Sequence, residues 1–328
     1  MNIHPDSPRG LPGIEKNNMK KFLKVTAVTI FSFLIILLVI LAVLSHRPTP
    51  SRNYWQEIPT GGEIEAEYLK AGGFETSYHE EAALQWFKKY EMFYPSELAE
   101  RQRKYPVIVV SNGTGMKASK SRHILEHYAS WGFIVIGTEE TYSWNAFGAE
   151  MCIRHLERLN GNESIDGKKN IFYEKVDFGN VGIIGHSQGG VSVINAITDT
   201  DHKDVFKTAV SLSPTNKELA EALEWPYDAT KVSIPVLVFS GEGGGDDWVI
   251  TGEQLADLYE DIPSDKVAAR RKDAAHGVTS HFEDGYVMAW FMWQLKGDAK
   301  AAKAFTGPAP EILDNPFYCD QRVSISNQ

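Results

Sequence analysis

Residues 181–190 read VGIIGHSQGG, an apolar run that ends in the pattern G-x-S-x-G. In this pattern a serine projects from a sharp strand-to-helix turn, so the residues two positions before and after it must be small. Gly185 and Gly189 meet that steric requirement around Ser187. The alternative is a tight turn whose serine only caps the following helix. The apolar run before the turn and the helical spacing after it favour Ser187 as a nucleophile.

Apolar runs alternate with helical patterns on both sides of this stretch, and 87–95 has the alternation of an outer strand. Strands are predicted at 105–110, 132–140, 180–186, 206–214, 234–242 and 267–276, and helices at 118–131, 145–159, 188–198 and 279–296. This order predicts an α/β fold with a mostly parallel sheet covered by helices on both faces. Ligands bind beyond the carboxyl ends of such strands, and the polar and glycine-rich clusters follow those ends.

A triad acid and base are predicted after the later strands. The segment GGGDDW (243–248) follows strand 234–242, and we assign Asp247 as the acid, with Asp246 and Glu242 as alternatives. His276 in DAAHG lies at the end of the last predicted strand and is the predicted base. The order Ser, Asp, His along the chain is that of α/β-hydrolases. His186 occupies the variable position of the turn and is a poor base candidate.

The remaining parts of a hydrolase site are an oxyanion hole and a substrate pocket. The segment SNGTG (111–115) follows an earlier strand, so the backbone N–H groups of Thr114 and Gln188 are the predicted oxyanion donors. Trp144 and Trp248 are candidate substrate-binding residues, although tryptophans are as often part of the core.

Two other motifs have a weaker functional interpretation. HILEH (123–127) matches the inverted zinc-protease motif H-x-x-E-H, but no third ligand is evident, and two surface histidines explain it as well. The glycines after strand 234–242 are not followed by G-K-[ST], so a phosphate-binding loop is not indicated. We therefore expect no metal and no cofactor.

With these motifs the chain resembles the dienelactone-hydrolase-related branch of the α/β-hydrolases, which includes chlorophyllase-like and cutinase-like polyester hydrolases. The resemblance covers about residues 65–300 and depends on PVIVVSNGTG, HYASWGFIVIGTE, GHSQGG, PVLVFSGE…DD and AAHG. It implies a serine esterase that needs no metal. In polyester hydrolases of this family an aromatic residue often follows the oxyanion-loop glycine, where this chain has Thr114.

The sequence thus predicts a carboxylic ester hydrolase that forms an acyl-enzyme. An acyltransferase or a peptidase with the same triad, or an inactive hydrolase-like binding domain, are the alternatives. The substrate is expected to be a small-molecule or lipid-like ester.

The amino-terminal region differs in composition from the rest of the chain. Residues 25–44 form an uncharged stretch of 20 residues, which is long enough to cross a bilayer as a helix. Four lysines precede this stretch. A cleaved signal peptide is the alternative, but its apolar region would be shorter. We predict a cytoplasmic segment 1–24, a transmembrane anchor 25–44, a linker 45–64 and an extracytoplasmic catalytic domain 65–328 in the cell membrane.

Charge and cysteine content limit the class of protein further. The net charge is −10 for the whole chain. The segment before residue 45 is basic, so the catalytic domain is still more acidic, which argues against a nucleic-acid partner. The two cysteines, Cys152 and Cys319, either form one disulfide or stay free. The distance between them in the fold decides which, and the sequence does not give it.

Overall fold

The computed structural model describes residues 49–83 and 86–326, together with Val25, Thr26 and Thr29. By its internal contacts the chain divides into two units, 1–47 and 48–328. The predicted segment 1–24 and, apart from those three residues, the predicted anchor 25–44 lie outside the described residues. Within the described part of the chain, no helix is both long and apolar enough to cross a membrane.

A single large sheet forms the centre of the second unit. Its described strands lie in the order β1-β2-β4-β3-β7-β8-β9-β10-β11. They are β1 Thr76–Ala82, β2 Lys89–Pro95, β3 Tyr105–Ser111, β4 Ile134–Thr138, β7 Val176–His186, β8 Phe206–Leu212, β9 Val236–Gly243, β10 Lys266–Ala275 and β11 Tyr318–Ser324. In the sheet, the consecutive neighbours β4, β3, β7, β8, β9 and β10 pair in parallel. Strand β2 runs antiparallel to β4, and β11 runs antiparallel to β10. A small hairpin of β5 Ser164–Ile165 and β6 Lys168–Lys169 stands apart.

Helices cover both faces of this sheet, as predicted. The described helices are α1 Glu63–Tyr68, α2 Arg122–Ser130, α3 Phe147–Gly161, α4 Gln188–Thr198, α5 Lys217–Ala222, α6 Asp246–Val249, α7 Gly252–Asp261, α8 Thr279–Phe282, α9 Asp284–Lys296, α10 Ala299–Ala302 and α11 Glu311–Asp314. Side chains of α2 and α9 belong to the core on one face, and those of α3, α4 and α7 to the core on the other. Strands β3 and β4 are buried on both faces, which explains their continuous apolar sequence.

Residues 49–64, the described part of the predicted linker 45–64, belong to the same unit as the sheet. Tyr54 is buried, and its hydroxyl donates to the carboxylate of Asp284. Immediately beyond this stretch, Glu65 forms a buried ion pair with Arg271 at 2.8 Å. The prolines of this segment indicated a free linker, but long-range polar contacts hold its described part on the catalytic domain.

The two cysteines are free, which excludes the disulfide alternative. Cys152 is buried in α3, in the core beside β3 and β4, whereas Cys319 lies on the edge strand β11. Several strands separate the two positions in the sheet, so the sulfur atoms cannot meet.

Candidate active site

The nucleophile turn forms where β7 ends and α4 begins. Ser187 occupies it with φ +61° and ψ −121°, a backbone conformation that is rare for a residue with a side chain. A Cβ on Gly185 would lie 2.2 Å from the carbonyl oxygen of Gly189, and one on Gly189 would lie 2.3 Å from that of Ser111. Only glycine fits at either position, so sterics force Ser187 to project from the turn.

His276 follows β10 and lies beside this turn. Its ring centroid is 4.5 Å from that of His186, the residue that precedes Ser187. Its Nδ1 lies 2.5 Å from Oδ1 of Asp246, which leaves Nε2 to act on a substrate or on Ser187. The hydroxyl of Ser187 has no hydrogen-bond partner in the described part of the chain. In many hydrolases the hydrogen bond between the serine and the catalytic base forms tightly only when substrate is bound.

Asp246, and not the predicted Asp247, is the carboxylate that faces His276. Asp246 is fully buried, and its Oδ2 accepts hydrogen bonds from Ser213 Oγ at 3.0 Å and from the Gly241 N–H. The side chain of Asp247 is 58% exposed and pairs with Arg270. The reason is the short helix α6, which turns consecutive side chains about 100° apart and so sends one inward and the other outward.

Of the two residues predicted to donate to an oxyanion, Gln188 directly follows Ser187, and Thr114 belongs to the loop 111–115. A Cβ on Gly113 would lie 3.6 Å from Cβ of Ser187, so the 111–115 loop packs on the turn. Thr114 itself is exposed. Neither its backbone N–H nor that of Gln188 has a hydrogen-bond acceptor among the described residues. Two such N–H groups beside a serine are the arrangement that an oxyanion hole requires.

The side chain of Gln188 has a role that the sequence did not predict. Its Oε1 accepts a hydrogen bond from the Ser143 N–H at 2.6 Å, and Gly115 N–H donates to Thr141 O at 3.0 Å. The loop between β4 and α3 is therefore attached both to the nucleophile turn and to the oxyanion loop. The sequence of residues 139–146 contains no motif that predicts these contacts.

Aromatic side chains lie on segments that adjoin the site, Tyr142 on the loop between β4 and α3 and Trp248 in α6. Trp248 is 79% exposed, two residues after Asp246, and Tyr142 is 53% exposed and accepts a hydrogen bond from Trp225 Nε1 at 2.6 Å. Trp144 is half-buried against Trp225. Of the two predicted substrate-binding tryptophans, Trp248 is thus on the surface, whereas Trp144 packs within a small cluster. Tyr142 and Trp225 were not predicted.

The histidines that were rejected as functional have structural partners or are buried. Burial and the neighbouring His276 lower the pKa of His186 to about 3, so its ring resists protonation and is a weak base. Of the HILEH motif, His123 contacts Pro50 O at 3.0 Å and His127 pairs with Asp284 at 2.8 Å. In 49–83 and 86–326, no group of three or more His, Cys, Asp or Glu side chains is arranged to bind a metal.

Comparison with known proteins agrees with this geometry. A family model described as PET hydrolase-like (PETase) matches residues 54–316. The chain is also similar to a bis(hydroxyethyl) terephthalate hydrolase of Streptomyces coelicolor, at 25% identity over 189 residues. That alignment covers 56% of this chain and 54% of the relative, so the chain spans about half the length of the curated relative it matches. The family match confirms the resemblance to the polyester-hydrolase branch of the α/β-hydrolases.

Proposed function

The chain belongs to the PET hydrolase-like family of carboxylic ester hydrolases, and on that premise we propose that it is a serine esterase with the triad Ser187, His276 and Asp246. The observation that carries the proposal is the contact of 2.5 Å between His276 Nδ1 and Asp246 Oδ1 beside a strained serine turn. A buried carboxylate at Nδ1 selects the tautomer whose Nε2 accepts a proton.

The reaction proceeds in two steps. His276 Nε2 takes the proton of Ser187 as Ser187 Oγ attacks the ester carbonyl. The negative oxygen of the resulting tetrahedral intermediate accepts hydrogen bonds from the Thr114 and Gln188 N–H groups. His276 then gives its proton to the departing alcohol, which leaves an acyl-enzyme. A water molecule, deprotonated by His276, attacks the acyl carbon and releases the acid, and the proton returns to Ser187.

We propose esters of aromatic acids with small alcohols as the substrate class. The name of the Streptomyces relative specifies such an ester, bis(hydroxyethyl) terephthalate. The exposed rings of Tyr142, on the loop between β4 and α3, and Trp248, in α6, supply apolar surface against which an aromatic acid can pack. Aliphatic esters of equal length are the comparison substrates, and equal kcat/KM for both classes would refute the aromatic preference.

The triad proposal is tested by Ser187→Ala in the full chain, purified in a mild detergent. We expect hydrolysis of a short activated ester to fall by about 10⁵-fold or more, because the nucleophile is removed. Ser77→Ala, on the edge strand β1, is the matched control and should keep full activity. Hydrolysis by Ser187→Ala at the rate of the unaltered chain would show that the assignment is wrong.

We further propose that 25–44 anchors the catalytic domain to the outer side of the cell membrane. The support is the length of the uncharged segment and the lysines before it. Protease treatment of intact cells should remove the catalytic domain, and recovery of the full chain in the soluble fraction would refute the anchor.

A further inference from the structure

The loop that carries Asp246 contains three consecutive glycines, Gly243, Gly244 and Gly245. Gly244 and Gly245 adopt φ values of +47° and +92°. Glycine loses more conformational freedom on ordering than any other residue. A triad acid that follows such a loop needs contacts from elsewhere to hold it in one position.

Arg270 on β10 contacts both ends of this loop. Its side chain is 9% exposed, and its Nε and Nη2 donate to the carbonyl oxygen of Gly241 at 3.2 and 2.9 Å. The same Nη2 pairs with the carboxylate of Asp247. One guanidinium group therefore connects Gly241, two residues before the three glycines, to Asp247, two residues after them.

This connection leads directly to the triad acid. Gly241, whose carbonyl binds Arg270, donates its own N–H to Oδ2 of Asp246. Asp247, which pairs with Arg270, is covalently next to Asp246. We propose that Arg270 is a positioning residue that holds Asp246 against His276, an inference that rests on the proposed triad.

The charge of Arg270 also decides which of the two adjacent aspartates faces His276. With Asp247 bound to the guanidinium group, only Asp246 is left to face inward, and the charge of its neighbour is compensated. A planar guanidinium group can serve the carbonyl and the carboxylate together, whereas the single ammonium group of a lysine matches that geometry less well.

The test compares Arg270→Gln, Arg270→Lys, Asp247→Asn and the double variant that combines Arg270→Gln with Asp247→Asn, all in the full chain. For each variant kcat and KM are measured with a short activated ester, and Tm is measured by thermal unfolding. For Arg270→Gln we expect kcat to fall about 10- to 100-fold with KM within about twofold, because misplacing a catalytic group affects the chemical step. Arg270→Lys should recover part of that loss, and Asp247→Asn should lower kcat about threefold to tenfold.

The double variant should be no slower than Arg270→Gln, since both changes break the same connection. Arg322→Gln is the matched control, because Arg322 lies on the outer strand β11 and pairs with Glu260 at 3.2 Å. The kcat of this variant should not change.

Labelling with a fluorophosphonate separates failure of this inference from failure of the proposed triad. If the unaltered chain is not labelled at Ser187, both are wrong. If it is labelled and Arg270→Gln has the kcat of Arg322→Gln, the positioning role alone is overturned. Should Arg270→Gln fail to fold, Asp247→Asn decides, because Asp247 is exposed: a threefold or greater loss of kcat supports the role and an unchanged kcat overturns it.

Discussion

Two loops at the same edge of the sheet hold the nucleophile and the acid in different ways. The turn at Ser187 is fixed by backbone atoms that pack against glycines, with Gly189 O at 2.2 Å from a Cβ placed on Gly185. The loop that ends at Asp246 contains three glycines and is held by groups on β9 and β10 and by Ser213, which follows β8, with Arg270 among them. The proposed nucleophile is therefore fixed by local sterics, and the proposed acid by residues distant in sequence.

The largest expected effect separates the two aspartates of the second loop. Asp246→Asn should lower kcat by about 10⁴-fold, because the amide would favour the wrong tautomer of His276. Asp247→Asn should cost less than about tenfold, since that carboxylate faces Arg270. Steady-state hydrolysis of one activated ester measures both. Equal losses would contradict the difference between the two positions.

A substitution at Gly185 tests the steric basis of the first loop. Gly185→Ala should reduce the free energy of unfolding by about 3 kcal/mol or more, because the added methyl group meets backbone that cannot move aside. Gly73→Ala is the control, since a Cβ there meets no atom within 4 Å. Denaturant unfolding of both variants gives the comparison, and equal stability would mean that the turn is not sterically fixed.

The third loop of the site, between β4 and α3, is expected to respond to pH. Burial raises the pKa of Glu140 to about 7 from an ordinary value of 4.5. The folded chain then binds a proton that the unfolded chain has released, so this residue makes the chain less stable as pH rises from about 4.5 through 7. Glu140→Gln should be more stable than the unaltered chain by about 3 kcal/mol at pH 8 and by less than about 1 kcal/mol at pH 5. A stability difference independent of pH would contradict the raised pKa.

The smallest effect compares two buried serines of the β8 region. Ser213 Oγ donates to Asp246 at 3.0 Å, and Ser211 Oγ donates to Gly190 O, also at 3.0 Å. Ser213→Ala should lower kcat about fivefold to tenfold, since the acid depends on side-chain contacts. Ser211→Ala should change kcat by less than about twofold, because glycine packing already fixes the turn. A larger loss for Ser211→Ala would reverse the comparison.

The same difference explains what the sequence could predict. The G-x-S-x-G pattern states its own steric requirement within five residues, so Ser187 was predictable, and the buried parallel strands were readable from their continuous apolar runs. The choice between Asp246 and Asp247 depends on Arg270, Ser213 and Gly241, which no pattern links to that loop. The predicted acid, Asp247, therefore lies one residue from the carboxylate that contacts His276.

Other features were missed for related reasons. Strand β11 lies at the edge of the sheet with alternating exposure and few apolar residues, so it lacked the signal of a buried strand. Tyr142 and Gln188 acquire their contacts through the loop between β4 and α3, whose sequence carries no motif. The docking of 49–64 depends on single polar contacts such as Tyr54 with Asp284, which hydrophobic patterning does not reveal.

The most direct test of the account is fluorophosphonate labelling of the full chain, Asp246→Asn and Asp247→Asn, with the labelled residue identified by mass spectrometry. We predict that the unaltered chain and Asp247→Asn are labelled at Ser187 at rates within about tenfold of each other, and that Asp246→Asn is labelled far more slowly. Labelling at another residue, or slower labelling of Asp247→Asn than of Asp246→Asn, would contradict the assignment of Ser187, His276 and Asp246.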